Sequence, residues 1–152
     1  MSLKFPDMKP SIISEILSSL LILLFVYTAI NKLAHLGAFE EVLSKSPVLS
    51  IASGLVSILI PVMEVVIAGL LFFPRTKRIG FQLSFALMSV FTIYIAAMLA
   101  FASKLPCSCG GVLSELTWKQ HLFFNLFFVL VAAWGIRLTR KSFQSVKHMS
   151  PQ

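Results

Sequence analysis

Charged residues are scarce in this 152-residue chain, and their scarcity decides its broad class. Only 12% of the residues are charged, whereas 57% are hydrophobic and the mean hydropathy is +0.90. A soluble domain carries about 25% charged residues, so this chain has too little polar surface to form a water-soluble bundle. Internal repeats and low-complexity segments are also absent from the sequence, which excludes repeat architectures.

Charge is missing altogether from long stretches of the chain. No charged residue occurs at 79–103 or at 120–136, and Glu64 is the only one at 46–74. A fourth apolar run covers 16–30 and ends at Asn31. A helix needs about 20 mostly apolar residues to cross a bilayer. The sequence therefore predicts four spanning helices, near residues 12–33, 49–73, 79–102 and 118–137.

The four spans use nearly the whole chain. We therefore expect one domain over residues 1–152, an all-α integral membrane four-helix bundle. The first span is longer than the apolar core of a signal peptide, and no small-residue cleavage site follows it. We expect this span to act as an uncleaved signal anchor.

The net charge of +7 indicates topology once the charges are placed. Nine of the 13 basic residues fall in segments that share one side of a four-span chain: Lys4, Lys9, Arg75, Lys77, Arg78, Arg137, Arg140, Lys141 and Lys147. The other side has Lys32, Lys45, Lys104 and Lys119. The positive-inside rule then places both termini in the cytoplasm. The basic segments should face anionic lipid head groups, and a nucleic-acid partner is not expected.

Cysteine is also scarce, because the chain has only Cys107 and Cys109, within "LPCSCGGVL" at 105–113. The predicted topology places both cysteines outside the membrane. In a bacterium that location is the periplasmic side of the inner membrane, which is an oxidising compartment. Disulfide chemistry is therefore available to this pair.

The spacing of the two cysteines favours a reactive disulfide over a structural one. Two peptide steps limit their Cα separation to about 7.5 Å, and a relaxed disulfide prefers about 5.5–6 Å. Pro106 restrains the chain on one side, while Gly110 and Gly111 relax it on the other. The ring can close only under strain, which makes the bond easier to reduce, and so short a loop adds little stability.

Two other interpretations of the pair stay open. The thiolates could hold Cu(I), which accepts few soft ligands, or zinc, which needs two more ligands. His35 and His121 lie on the predicted outer side and could complete a site with Cys107 and Cys109. The pair could also be structural or incidental.

Glu64 is the residue whose burial in the predicted membrane segments costs the most free energy, because it is ionisable. It lies about 15 positions into the second span, roughly 22 Å from the outer end. An ionisable group at that depth usually faces a protein interior and is functional. A neutral carboxylic acid that is hydrogen-bonded between helices is the alternative. Lys32, at the end of the first span, is interpreted as extending its ammonium to the outer surface.

Several other polar residues fall in the outer halves of their predicted spans. They could line a pocket beneath the cysteines, although each alone could equally form an interhelical hydrogen bond or an interfacial anchor. These residues are Tyr27, Asn31, Tyr94, Gln120, His121 and Asn125.

The first outer loop has apolar residues at helical spacing. Leu36, Phe39, Val42 and Leu43 recur on one face, which predicts a short amphipathic helix on the outer membrane surface. An ordinary connector with a few buried residues is the alternative.

Four motifs give the chain a resemblance to a known family. They are "FVYTAINKL", "PVMEVVIAGLLFF", "PCSCGG" and "WKQHLFFNLFFVL". The chain resembles the MauE/DoxX-like family of small four-span membrane proteins over nearly its whole length. The more specific elements are "CSCGG", Glu64 with Gly69, and Asn125. The MauE branch often has cysteine-x-cysteine-glycine here, so the resemblance assigns importance to Cys107, Cys109 and Gly110.

The resemblance implies a role in protein maturation outside the cytoplasm. MauE-type proteins are associated with methylamine utilisation and with maturation of a disulfide-rich periplasmic dehydrogenase subunit. The family looks like a four-helix relative of membrane oxidoreductases that pass electrons between thiols and a quinone. This chain has neither a second cysteine pair nor a CxxC motif. A complete relay within the chain is therefore not expected, and whether the protein turns over thiols as an enzyme is left open.

The resemblance and the cysteine chemistry together imply redox exchange with a periplasmic thioredoxin-like or disulfide-containing protein. A quinone is a candidate electron acceptor. A non-enzymatic metal-binding protein or assembly factor is the alternative.

The topology can be tested directly. We expect a reporter fused after Gln152 to be cytoplasmic, because positive charge flanks the terminal side of the spans. A membrane-impermeant thiol reagent should label Cys109 in intact cells after reduction. A C-terminus on the outer side would contradict both the charge argument and the compartment assigned to the cysteines.

Overall fold

The computed structural model describes residues 10–45, 50–101 and 118–148. The described residues form α-helices and one short 3₁₀ turn, Ser50–Ala52. The helices are α1 (Pro10–Ala34), α2 (Leu36–Ser44), α3 (Ser53–Phe72), α4 (Lys77–Phe101) and α5 (Trp118–His148). The all-helical fold predicted from the apolar runs is confirmed.

Four segments are long and apolar enough to cross a membrane. They are Ile12–Ala34, Ser50–Phe72, Lys77–Ala100 and Lys119–Arg140. Only 22% to 33% of the most apolar part of each segment is buried inside the protein. Large apolar side chains such as Leu23, Val90 and Phe123 face outward. This exposure is unfavourable in water and is what a lipid-facing helix requires.

The four long helices form a ring in which each helix packs against two neighbours. α1 packs on α3, α3 on α4, α4 on α5, and α5 back on α1. The diagonal pair α1 and α4 makes few contacts. The buried core is contributed by all four helices, and it consists of Leu21, Phe25, Ile67, Ala68, Leu71, Phe81, Met88, Phe128, Val131 and Ala132.

Glycine allows very close packing at one end of the bundle. We call this end the terminal end and define it by Glu15, Leu71, Lys77 and Gly135. A Cβ atom added to Gly135 on α5 would lie 2.2 Å from the Phe81 ring of α4. Phe81 is fully buried, so its ring has little room to move. The Glu15 carboxylate on α1 also accepts a hydrogen bond from Lys77 on α4. These contacts bring the start of α1 and the end of α3 together with the start of α4 and the C-terminal half of α5.

The first and last described residues therefore belong to helix ends on the same side of the bundle. This agrees with an even number of crossings. Placement of the termini in the cytoplasm stays a prediction.

α2 confirms the predicted helix in the first outer loop, but its apolar face packs on protein. Phe39 and Leu43 are buried, at 7% and 4% exposure, and α2 contacts α3. A Cβ at Gly54 of α3 would lie 3.2 Å from Oε1 of Glu40. α2 therefore caps the end of the bundle opposite the terminal end. We call this opposite end the loop end and define it by Lys32, α2 and Gly54.

We expect Gly135→Ala to destabilise the bundle, because the new methyl group would overlap the buried Phe81 ring. Overpacking of this kind costs about 1–3 kcal/mol. Gly69→Ala in α3 is the matched control, since no atom lies within 4 Å of its added Cβ and alanine favours the helix. Thermal unfolding in detergent micelles, followed by circular dichroism, measures both variants. Equal stability of the two would contradict the close packing of α4 and α5.

Candidate functional site

Glu64 lies on the buried face of α3. The buried residues of this helix include Ser57, Pro61, Glu64, Ala68 and Leu71, a spacing of alternating three and four residues that marks the face turned to the bundle interior. Glu64 is only 2% exposed and lies about 17 Å along the helix from Ser53. A carboxylate at that position is withdrawn from water, so it requires a partner.

Lys32 on α1 is that partner. Its Nζ donates a hydrogen bond to Oε1 of Glu64. The Lys32 side chain is 18% exposed and the Glu64 side chain 3%. Lys32 extends the inward face of α1, which carries Leu21, Phe25 and Thr28 at helical spacing. The sequence-based interpretation that Lys32 extends to the outer surface is therefore wrong.

Helix direction explains why the two side chains point toward each other. Side chains tilt toward the N-terminus of their own helix. Because α1 and α3 run in opposite directions, Lys32 reaches toward the bundle interior and Glu64 reaches toward the loop end.

The other helices surround the Lys32 ammonium. Its Nζ lies 5.8 Å from the ring centroid of Phe39 on α2 and 5.5 Å from that of Phe91 on α4. Both distances fit cation–π interactions. His121, in the first turn of α5, is half-buried and lies within electrostatic range of Lys32. Each of the five helices thus places a residue at this cluster, which we call the Lys32–Glu64 site.

The second carboxylate oxygen is unsatisfied. Oε2 of Glu64 is buried and has no hydrogen-bond partner within the described part of the chain. The Thr28 hydroxyl lies near the carboxylate, but it donates to the carbonyl of Phe25 at 3.2 Å. Oε2 is therefore a strong hydrogen-bond acceptor without a donor. Burying such an acceptor without a hydrogen bond costs free energy.

The residues predicted to line a pocket are distributed unevenly. His121 lies at the Lys32–Glu64 site, and Asn125 is buried one turn further along α5 at 5% exposure. Asn31 and Tyr94 are half-buried, whereas Tyr27 is 41% exposed and largely faces outward. The pocket as predicted from the sequence stays a prediction.

The proposed metal ligands are only partly described. His35 follows α1 and is exposed, with its Nδ1 3.1 Å from the carbonyl oxygen of Asn31. Cys107, Cys109 and Gly110 lie outside the described residues. Within the ranges 10–45, 50–101 and 118–148, no group of three or more potential metal-binding side chains occurs. The set of two cysteines and two histidines is not tested by this result.

Lys32 was not predicted from the sequence as the partner of Glu64, and neither were the contacts of Phe39 and Phe91 with the Lys32 ammonium. A signal for Lys32 was present, since it continues the spacing of Leu21, Phe25 and Thr28. Intramembrane charges usually pair with one another, so the inward face of α1 could have identified the partner. No comparable signal existed for the two phenylalanines among the 14 in the chain.

Comparison with known protein families agrees with this architecture. The family model described as "Methylamine utilisation protein MauE" matches residues 10–138. The match begins with α1 and ends within α5, so it includes every residue of the Lys32–Glu64 site. The chain belongs to the MauE family.

Membership of the MauE family makes the chain a multi-pass membrane protein of a bacterial family associated with methylamine utilisation. The comparisons with curated proteins and with solved structures gave no match. The MauE match also covers the segment at 102–117 that contains both cysteines.

We expect Glu64→Leu to destabilise the protein strongly, because it leaves the Lys32 ammonium unpaired inside the bundle. Breaking a buried pair in this way costs about 3–5 kcal/mol. The double variant Lys32→Met/Glu64→Leu should recover most of the loss, since two apolar side chains can pack together. Thermal unfolding in micelles measures the double-mutant cycle.

The exposed pair of α2 provides a matched control. Lys45 donates to Glu41 at 2.7 Å, and this hydrogen bond holds the pKa of Glu41 below its ordinary value. Glu41→Gln should leave the melting temperature nearly unchanged, because exposed pairs contribute little to stability. A double variant as unstable as Glu64→Leu would contradict the coupling between Lys32 and Glu64.

Proposed function

We propose that this MauE-family chain is an inner-membrane thiol–disulfide exchange protein that supports maturation of periplasmic proteins through Cys107 and Cys109. The observation that carries the proposal is the arrangement of these cysteines. They are the only two in the chain, and they stand one residue apart in the segment that connects α4 to α5.

The spacing supports exchange chemistry because it suits a labile bond. A disulfide across one intervening residue is strained, and strained disulfides have more oxidising potentials than structural ones. A disulfide that closes so short a loop removes little entropy from the unfolded chain and therefore stabilises the fold only slightly. A structural crosslink is thus a poor explanation for this pair. Gly110 and Gly111 carry no side chain, which would let a partner's active site approach the backbone.

Family membership supports the setting in which the pair would act. The matching family is named for methylamine utilisation, and the resemblance of the cysteine motif implies a disulfide-rich dehydrogenase subunit as client. The periplasmic location follows from the predicted topology. Thiol–disulfide exchange is a reaction that such a client requires during folding.

The exchange reaction is balanced between the pair and its partner. A partner thiolate attacks one sulfur of the Cys107–Cys109 disulfide, a mixed disulfide forms, and the other cysteine leaves as a thiolate. A second partner thiolate then attacks the mixed disulfide. The partner gains a disulfide and the pair becomes a dithiol, so two electrons and two protons have moved from partner to pair. The reverse sequence reduces a partner.

The exchange step itself needs no additional electron acceptor. Repeated oxidation of partners would need one, and a membrane quinone is the candidate. The Lys32–Glu64 site is a candidate supporting element, because His121 lies in the first turn of the helix that follows the cysteine segment. Asn125 and Gly110 are proposed to support the same region.

We expect one of the single variants, Cys107→Ser or Cys109→Ser, to accumulate a covalent adduct with a periplasmic thioredoxin-like protein or client. Loss of the resolving cysteine leaves the mixed disulfide without an intramolecular route to resolution. Both single variants should lose function while the protein stays folded and inserted. Acid quenching followed by non-reducing electrophoresis detects the adduct, which reductant should remove.

Ser108→Ala, between the two cysteines, is the matched control and should retain function without an adduct. The double cysteine variant should trap nothing. If neither single variant traps a partner and the double variant still functions, the exchange proposal is wrong. Copper or zinc binding that is lost in the same variants would favour the metal-binding alternative, and a stable complex without thiol turnover would favour an assembly factor.

A further inference from the structure

Glu64 uses only one of its two oxygens in the ion pair. Oε1 accepts the hydrogen bond from Lys32, while Oε2 is buried without a partner among the described residues. Buried ion pairs are favourable only when the remaining hydrogen-bonding capacity is also satisfied. A pair with a purely structural role would be expected to bury a satisfied carboxylate. The unused oxygen therefore indicates a position at which a hydrogen-bond donor arrives.

We propose that Glu64 is a proton-binding site inside the bundle, at which Oε2 takes the proton and Lys32 supports the unprotonated state. The proton comes from water at the loop end of the bundle and returns there. On uptake an O–H bond forms at Oε2 and the carboxylate becomes a carboxylic acid. Because Lys32 stays an ammonium, the charge of the site changes from zero to one positive charge.

The surroundings of the pair suit a group that can change protonation state. Lys32 and Thr28 face the site from α1, Phe39 from α2, Phe91 from α4 and His121 from α5. The rings of Phe39 and Phe91 lie within cation–π distance of the Lys32 ammonium. This second set of contacts keeps the ammonium in place when Glu64 becomes neutral.

Access to the site is expected from the loop end. The Lys32 side chain is more exposed than that of Glu64, at 18% against 3%, and the backbone of Lys32 lies near the end of α1. Asn31 lies in the last turn of α1, and His35 follows that helix end. An ordered water molecule at Oε2 would complete the hydrogen bonding, since buried waters typically occupy such positions.

The proposal does not depend on the cysteines, so its test can be separated from the redox proposal. Full-length wild-type protein and its Cys107→Ser/Cys109→Ser variant are reconstituted in lipid vesicles and titrated with acid, in H₂O and in D₂O. Infrared difference spectroscopy follows the C=O stretch of protonated carboxylic acids. Circular dichroism defines the pH range over which the helices persist.

We expect a carboxylic-acid band that appears reversibly within that range, moves to lower frequency in D₂O, and is the same in both proteins. Because the chain has six acidic residues that all give C=O bands when protonated, the Glu64 band is identified as the component that Glu64→Gln abolishes. Glu15→Gln, which alters the carboxylate of the other interhelical ion pair, should retain it. If Glu64→Gln fails to fold, Lys32→Met/Glu64→Gln replaces it, because that variant leaves no unpaired charge at the site.

Two results would overturn the proposal. One is the absence of any Glu64-dependent band over the whole pH range in which the helices persist. The other is a Glu64-dependent band that does not shift in D₂O, since the proton at Oε2 would then not exchange with water. Either result would make Lys32–Glu64 a static ion pair.

Discussion

The ion pair between Lys32 and Glu64 is the interaction on which the loop end of this bundle depends. Each charge would be costly alone inside an apolar bundle, so each restricts where the other can lie. Their pairing links α1 to α3, and the opposite tilt of the two side chains directs each toward the other. Phe39 and Phe91 then bring α2 and α4 to the same ammonium.

The two ends of the bundle are built on different physical principles. At the terminal end, Gly80 and Gly135 let neighbouring helices approach until Leu71 and Phe81 occupy the space of a side chain. Membrane helices associate largely through such close packing. The terminal end also has the ion pair of Glu15 and Lys77, in which the carboxylate is 64% exposed. The loop end buries its carboxylate, Glu64, to 3% exposure and adds cation–π contacts and a short capping helix.

This division fits a membrane protein that acts on partners outside the bilayer. Close packing and the ion pair of Glu15 and Lys77 hold the helices together at the terminal end, while the loop end holds the buried carboxylate of Glu64. Glu64 and His121 lie toward the end at which the chain enters and leaves 102–117. In the proposed function, the cysteines exchange disulfides with a partner; the proton exchange proposed for the Lys32–Glu64 site is a separate property with its own test.

The sequence by itself determined the four spans, because runs of about 20 apolar residues have few other stable environments. It also showed that a charged residue, Glu64, falls inside a span, and the spacing of Phe39 and Leu43 was consistent with a helix at α2, although a plain connector stayed open until the structure showed the helix. Only the tertiary structure decided the partner of Glu64. Lys32 stands 32 residues away on another helix, and a lysine near the end of a span can turn either to the surface or inward. That choice depends on helix direction, register and the residues facing it, which arise only when α1, α2, α3 and α4 pack together.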